Sequence, residues 1–167
     1  MKIIKSILIL PKISVFLLLA IVFNCETLNA QENPRGFLLT TMQSYSLKTN
    51  TDVFEIGIGY IFDKVGVRVN YGRVGLGADR KANEETISLF IPVYKAHSFS
   101  MIPEVSVGML NGRFDTNEDV VIKPQVQVGV NVNYTISRFM SCGITYRSLC
   151  YDGNVIPLVG WSYSVHF

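Results

Sequence analysis

The sequence has little charge of either sign and few of the residues that carry titratable chemistry. Of its 167 residues, 17% are charged, the formal net charge is +2, and there are two His, three Cys and one Trp. Such a balance argues against the basic surface that nucleic-acid-binding proteins present. A hydrophobic content of 49% is too high for a disordered chain. The 13 Gly, 10 Phe and 8 Tyr favour a single β-rich domain over a helical bundle.

No apolar run in the sequence is long enough to cross a bilayer as a helix, which needs roughly 20 residues. The longest runs from Ile13 to Phe23; it follows Lys2, Lys5 and Lys12 and precedes Leu28-Asn29-Ala30. This is the order of a secretory signal peptide. We therefore predict a cleavable signal peptide over residues 1–30 and a mature domain over residues 31–167. Its removal takes away three basic residues and one acidic residue, which leaves a formally neutral chain.

The mature chain keeps two cysteines, Cys142 and Cys150. On one strand, eight residues at about 3.3 Å each would separate them by about 26 Å. The Cα atoms of a disulfide lie within about 7 Å of each other, so we expect no bridge. The sequence also has no Cys-x-x-Cys motif and no Cys/His cluster. We expect neither a metal nor a cofactor.

Alternation of apolar and polar residues recurs along the mature chain, after a less regular first run over residues 36–47. It is clearest between residues 125 and 134, where Val126, Val128, Val130, Val132 and Tyr134 alternate with Gln125, Gln127, Gly129, Asn131 and Asn133. Residues 53–62, 65–72 and 86–93 follow the same rule. A period of two is typical of a β-strand with one apolar and one polar face.

Eight such strands, each of about 10–13 residues, are predicted, and this length exceeds the usual globular strand of about 5–6 residues. A tilted transmembrane strand needs about 9–11 residues. The predicted connections are 48–52, 63–64, 75–84, 95–98, 111–122, 136–138 and 151–154. The odd-numbered connections have 5, 10, 12 and 4 residues and the even-numbered ones 2, 4 and 3. This resembles the alternation of barrels with short periplasmic turns and long extracellular loops. The pattern predicts an all-β, eight-stranded, antiparallel, up-and-down transmembrane β-barrel.

The two longest predicted loops are also rich in charge. Residues 75–84 include Asp79, Arg80 and Lys81, and residues 111–122 include Arg113, Asp115, Glu118 and Asp119. Binding is disproportionately a property of loops. We therefore expect these residues to lie outside the cell and to contact an unidentified extracellular partner.

The last strand carries the most specific signal. Its apolar face consists of Trp161, Tyr163, Val165 and Phe167, and the chain stops on that aromatic residue. This strand resembles the terminal strand of Gram-negative outer-membrane barrels, which the barrel-assembly machinery reads. Over the mature chain, the sequence resembles the small OmpA/OmpX-type barrels of the porin-like superfamily. The resemblance implies location in the outer membrane of a Gram-negative bacterium, contact with outer-membrane lipid and recognition by that machinery.

Four charged residues fall on the polar faces of the predicted strands: Glu55, Arg68, Glu104 and Arg147. An eight-stranded barrel is just wide enough to be filled by side chains, and buried charges must be paired. We expect a structural network that plugs the lumen. The favoured function is then a structural or surface-interaction protein that acts through its extracellular loops. A narrow solute channel remains an alternative.

Catalysis has weak support in the sequence. His97-Ser98 suggests an outer-membrane lipid-modifying enzyme, but the pair falls in a predicted periplasmic turn and adjacent strand residues point to opposite faces. We expect no enzymatic activity. A secreted lipocalin-like binding barrel is a further alternative, in which the apolar faces would point inward around a ligand. Three residues, Pro92, Pro103 and Pro157, each remove a ladder donor and are expected at bulges or strand ends.

Overall fold

The structure is a computed structural model that describes residues 35–46, 48–77, 80–96, 98–114 and 119–167. The predicted signal peptide, residues 1–30, lies outside these ranges. Within them, no helix is long and apolar enough to cross a membrane. Cys142 and Cys150 both lie on one strand, and both thiols are free.

Nine antiparallel segments form one closed sheet. They are β1 Gly36–Ser46, β2 Thr51–Ile61, β3 Gly66–Gly77, β4 Arg80–Phe90, β5 Tyr94–Ala96, β6 Phe99–Gly112, β7 Val121–Ser137, β8 Met140–Tyr151 and β9 Asn154–His166. Strands that are consecutive in the chain pair with each other, except that β4 and β5 both pair with β6, and β1 pairs with β9 to close the barrel. The short β5 continues the line of β4 along β6. The predicted eight-stranded antiparallel barrel is therefore confirmed.

Two prolines lie at the break between β4 and β5, and Pro103 accounts for the missing hydrogen bond to β6. The N–H of Ile91 donates to the Pro103 carbonyl at 3.1 Å, but Pro103 has no N–H with which to return the bond. The backbone nitrogen of Pro92, the next residue, points away from β6 and toward the β3 side. The pairing of β4 with β3 has already ended at Phe90, so no ladder hydrogen bond is lost there. Pro157 lies one residue beyond the segment of β9 that pairs with β1. Pro92 thus lies beyond a strand end, as predicted, whereas Pro103 lies inside β6 and Pro157 inside β9, where it pairs with Ser148 of β8.

The two ends of the barrel differ in their connections. The terminal end carries Arg35, where the described residues begin, the C-terminal Phe167 and the connections 62–65, 97–98 and 138–139. The loop end carries 47–50, 78–79, 113–120 and 152–153. At the loop end, Asp152 and Gly153 join β8 to β9 with φ angles of 47° and 71°. Positive φ at both central residues defines the tight hairpin turn that Asp-Gly favours. This turn fixes the register of β8 against β9.

The predicted loop over residues 75–84 is wrong, because β3 and β4 continue through it and leave only residues 78–79 between them. The alternation persists there: Leu76 and Ala82 are buried, whereas Lys81 is exposed. The charged residues that led to the loop prediction lie on a strand, and Lys81 among them is on its outer face. Arg80 and Lys81 begin β4 instead. The predicted loop over residues 111–122 shortens to 113–120.

The side chains that point into the barrel are polar over most of its length. On β7, Gln125, Gln127, Asn131 and Asn133 are buried, whereas Tyr134 and other apolar residues of that strand are exposed. The outer surface carries large apolar side chains on every long strand, which is the arrangement of a barrel in lipid. A lipocalin requires the reverse. The lipocalin-like alternative is therefore rejected.

The outward apolar surface yields a test. Ile58 is 63% exposed and pairs with Leu39 and Val69, both apolar and outward-facing. We expect Ile58→Arg to destabilise the barrel in phospholipid vesicles by about 2–4 kcal/mol, because the arginine would lie in the hydrocarbon region. Urea unfolding measures the change. The control is Asn83→Arg, which puts the same side chain on the outer face of β4 near the loop end; equal effects would contradict a lipid-facing belt.

Candidate functional site

The middle of the lumen holds a first cluster around Arg147. Its guanidinium donates to Glu55 Oε2 at 2.6 Å, to Gln127 Oε1 at 3.1 Å and to Ser44 Oγ at 3.2 Å. Arg147 lies on β8 and Glu55 on β2, with β9 and β1 between them in the sheet. The ion pair therefore crosses the lumen and joins strands that share no backbone hydrogen bond.

A second cluster surrounds Arg68 and lies closer to the terminal end. The Arg68 guanidinium donates to Glu104 Oε1 at 2.5 Å and to Asn70 Oδ1 at 2.6 Å. Asn131 donates to the other oxygen of Glu104 at 3.1 Å. All four side chains are buried. The structure thus brings the four charged residues singled out in the sequence together as two ion pairs.

Sequence reasoning missed a fifth buried charge, Glu84. This residue is fully buried on β4 and accepts a hydrogen bond from the side chain of Gln127. Its other oxygen, Oε2, has no hydrogen-bond partner within the described structure. The signal was present, since Glu84 continues the inward series that includes Thr86 and Ser88. It was overlooked because residues 75–84 were interpreted as a loop.

An apolar layer closes the lumen at the loop end. It is formed by inward residues from six strands: Val53, Val74, Leu76, Ala82, Leu110, Leu149, Ile156 and Leu158. None of them is more than 6% exposed. Moving an ion through such a layer requires removing its water without replacement, which is very costly. Together with the ion pairs beneath it, this layer fills the cross-section of the barrel.

The terminal end instead contains a cavity of about 260 Å³, whose lining includes the apolar residues Leu38, Ile61 and Phe90. Hydroxyl and amide side chains such as Thr40, Asn133 and Ser162 line it, and Arg68 also reaches it. Ser141 Oγ lies 3.4 Å from His166 Nε2 at this cavity. No group of three His, Cys, Asp or Glu side chains in the described ranges could hold a metal. His97 lies outside those ranges.

The terminal strand forms the seam of the barrel. β9 pairs with β8 on one side and with β1 on the other. Trp161 and Tyr163 point outward and are each 54% exposed, and Val165 is half-buried. The N–H of Phe167 donates to the Phe37 carbonyl at 2.9 Å. The residues proposed as an assembly signal therefore lie on the strand whose pairing completes closure.

The predicted extracellular residues are distributed differently from the expectation. Arg113 and Asp119 lie in the 113–120 connection and are exposed at its ends. Arg80 begins β4, and its guanidinium donates to the Phe114 carbonyl at 2.5 Å. Lys81 follows it on the outer face. Three others, Asp79, Asp115 and Glu118, lie outside the described residues.

The lumen network predicts unequal effects of neutralising its carboxylates. Glu55→Gln or Glu104→Gln leaves a buried guanidinium without its partner, and breaking a buried pair costs about 3–5 kcal/mol. Glu84→Gln removes a carboxylate that contacts no cation directly and keeps an oxygen for Gln127, so we expect a much smaller loss. Urea unfolding of the three variants in the same vesicles measures this order. A Glu84 variant as unstable as the other two would contradict the assigned pairing.

No protein-family model matches the chain, and no curated protein matches its sequence. Solved structures do match its fold. The N-terminal β-barrel domain of OprF from Pseudomonas aeruginosa aligns with a TM-score of 0.69 at 10% identity, over 82% of this chain and 100% of that domain. Neisserial surface protein A aligns with a TM-score of 0.55 at 15% identity, over 80% of this chain and 96% of that protein.

A designed transmembrane β-barrel aligns as well, with a TM-score of 0.50 at 18% identity, over 81% of this chain and all of the designed chain. The three share the closed, antiparallel arrangement of strands and little sequence. What they have in common with this chain is therefore architecture. The chain has the fold of the small outer-membrane β-barrels.

Proposed function

We propose that the chain is an outer-membrane barrel that acts at the cell surface as a structural and interaction protein. The observation that carries this proposal is the closed lumen. An apolar layer at the loop end lies above two cross-lumen ion pairs, Arg147–Glu55 and Arg68–Glu104. A filled lumen offers no route for solutes, since water-filled pores need about 16–18 strands. The surfaces left for function are the two ends and the lipid-facing wall.

Location in the outer membrane is supported by the fold and by the outward apolar surface. Side chains such as Phe54, Ile58 and Val107 are about half-exposed or more, although apolar. A soluble monomer rarely exposes a continuous apolar surface of such extent. Outer-membrane lipid is therefore the proposed partner of this wall. The barrel-assembly machinery is the proposed partner of β9 during insertion.

Catalysis has little support in the geometry. Ser141 and His166 are 3.4 Å apart, but a nucleophile and base also need a group that orients the base and donors for the developing charge. We propose that the chain is not an enzyme. A lipid-hydrolysis assay with the folded protein tests this directly, and turnover that is lost in Ser141→Ala would overturn it.

The closed lumen predicts the absence of a discrete conductance. The wild-type barrel in a planar bilayer should show no reproducible current steps, because an ion would have to cross the apolar layer as well as the ion pairs. The narrow-channel alternative predicts steps that change when Arg68→Gln or Glu104→Gln is introduced. Current steps of that kind would indicate that the function depends on the lumen and not on the loop end.

The terminal strand predicts a defect in assembly. Replacing Phe167 and Tyr163 with Ser should lower the amount of folded barrel in purified outer membranes, because the proposed recognition signal is lost. Phe139→Ser is the matched control, since Phe139 is an exposed aromatic residue at the same end but outside β9. The heat-dependent shift of folded barrels on gels separates folded from unfolded protein. Equal losses in both variants would contradict a signal specific to β9.

Surface location predicts a labelling pattern. In a background without Cys142 and Cys150, Asp119→Cys at the loop end should react with a membrane-impermeant maleimide in intact cells. Lys64→Cys, in the 62–65 connection of the terminal end, should react only after lysis. Both native positions are exposed, so access depends on the side of the membrane alone. Reversed labelling would place the loop end in the periplasm and contradict the proposed function.

A further inference from the structure

The lipid-facing wall differs between two opposite sides of the barrel. β4 pairs with β6 on one side and β1 pairs with β9 on the other, with two long strands between them in either direction. On the β4–β6 side, the outward residues in the middle of the wall are aliphatic. They are Ile87, Leu89, Val105 and Val107, and each is at least 43% exposed. Such a surface is suited to contact with lipid chains alone.

The β1–β9 side carries polar groups on its outer face. Thr41 pairs with Tyr163, and Gln43 pairs with Trp161. Trp161 and Tyr163 are each 54% exposed, Gln43 is exposed and Thr41 is half-buried. We call these four residues the seam patch, because the pairing of β1 with β9 closes the barrel. The seam patch presents an amide, two hydroxyls and an indole N–H, where the opposite side presents only hydrocarbon.

The seam patch lies within the apolar belt, away from its borders. Thr41 occupies the middle one of the five outward positions of β1, which run from Phe37 to Tyr45. Trp161 occupies the middle one of the seven outward positions from Val155 to Phe167. The aromatic residues of transmembrane barrels usually form girdles at the two interfaces, so Trp161 lies deeper than that role requires. Lipid chains offer no hydrogen-bonding partner at this depth.

Gln43 is the member of the seam patch that is least compatible with lipid. Its amide has two donor hydrogens and an acceptor oxygen. Its neighbours across the strands are Phe54 on β2 and Trp161 on β9, and the described structure contains no hydrogen bond of the Gln43 side chain. An amide that leaves water without gaining a hydrogen bond is unfavourable. A polar group from outside this barrel, at the same depth in the membrane, would satisfy it.

A second copy of the chain supplies the matching group at the required depth. Two barrels with the same orientation in a membrane can be related by a two-fold axis along the membrane normal, and this axis places each residue at the same depth in both copies. An amide is complementary to itself, because each amide can donate to the carbonyl oxygen of the other. Trp161 and Tyr163 add large exposed rings beside Gln43, and such residues are enriched at the centres of protein interfaces. A lipid chain offers neither complementarity.

We propose that the seam patch is the contact between two copies of this chain in the membrane, with the Gln43 amides paired across a two-fold axis. This inference rests on the proposed location in a membrane, but it does not depend on which end faces outside the cell. The contact leaves the lumen and both ends of each barrel free. A dimer therefore holds two loop ends side by side, which favours binding of a partner with repeated sites.

The test measures fluorescence energy transfer between folded barrels in phosphatidylcholine vesicles. In a background without Cys142 and Cys150, Lys64→Cys carries the donor or acceptor dye at the terminal end, away from the seam patch. We expect transfer above the random level, and Gln43→Leu should weaken association by about tenfold, because side-chain hydrogen bonds within the membrane are lost. The matched control is Asn83→Leu, which removes an exposed outward amide from the β4–β6 side and should leave association unchanged. The β9 residues are left intact, since they also belong to the proposed assembly signal.

Urea unfolding of barrels diluted in lipid until transfer is lost separates association from a structural role of the amide. Gln43→Leu should then be at least as stable as the wild type, because leucine is better suited to lipid than an unpaired amide. Loss of transfer in Gln43→Leu but not in Asn83→Leu, with this stability retained, supports the inference. Random transfer in the wild type, equal transfer in the two variants, or a less stable diluted Gln43→Leu barrel overturns it.

Two other occupants of the seam patch are outcomes of the same experiment. Random transfer at every lipid ratio would leave lipid as the only partner of the patch. Transfer that appears only after a membrane extract is added would assign the patch to a different protein, and it would also overturn the inference. None of these results affects the labelling of Asp119→Cys and Lys64→Cys, which tests the proposed function separately.

Discussion

The interior of an eight-stranded barrel is just wide enough to be filled by side chains. Every inward residue therefore meets residues from across the lumen, and an inward charge must find an opposite charge or hydrogen bonds there. Arg147 on β8 meets Glu55 on β2, and Arg68 on β3 meets Glu104 on β6. These pairs connect strands that are not neighbours in the sheet. The narrow interior thus makes barrel closure and charge pairing depend on each other.

The same width explains the order of layers along the barrel. Apolar side chains fill the loop end, charged and amide side chains fill the middle, and a mixture of hydroxyl, amide and apolar side chains surrounds a cavity at the terminal end. Buried side chains of the apolar layer and of the two ion pairs separate the two ends of the lumen.

The candidate site was only partly accessible from the sequence. The alternation on β2, β3, β6 and β8 placed four charged residues in the lumen, where the structure has them. Glu84 was missed because the charged residues around it were interpreted as a loop. In the structure these residues belong to β4, which begins at Arg80. An irregularity near Pro92 could be anticipated, because a proline lacks the N–H of the ladder. That Pro103 faces Ile91 across the sheet could not be deduced from any local pattern.

The sequence by itself determined the class of fold, the number of long strands and the division of each strand into two faces, because a period of two is a local property of extended backbone. Alternation alone could not decide which face points inward, since it also fits a lipocalin; the strand length, the terminal aromatic residue and the uneven connections favoured the polar face. Nothing in the sequence could pair Arg147 with Glu55, which lie 92 residues apart. That pairing was decided by tertiary structure. The physical reason is that closure into a barrel alone sets which distant side chains share a narrow interior.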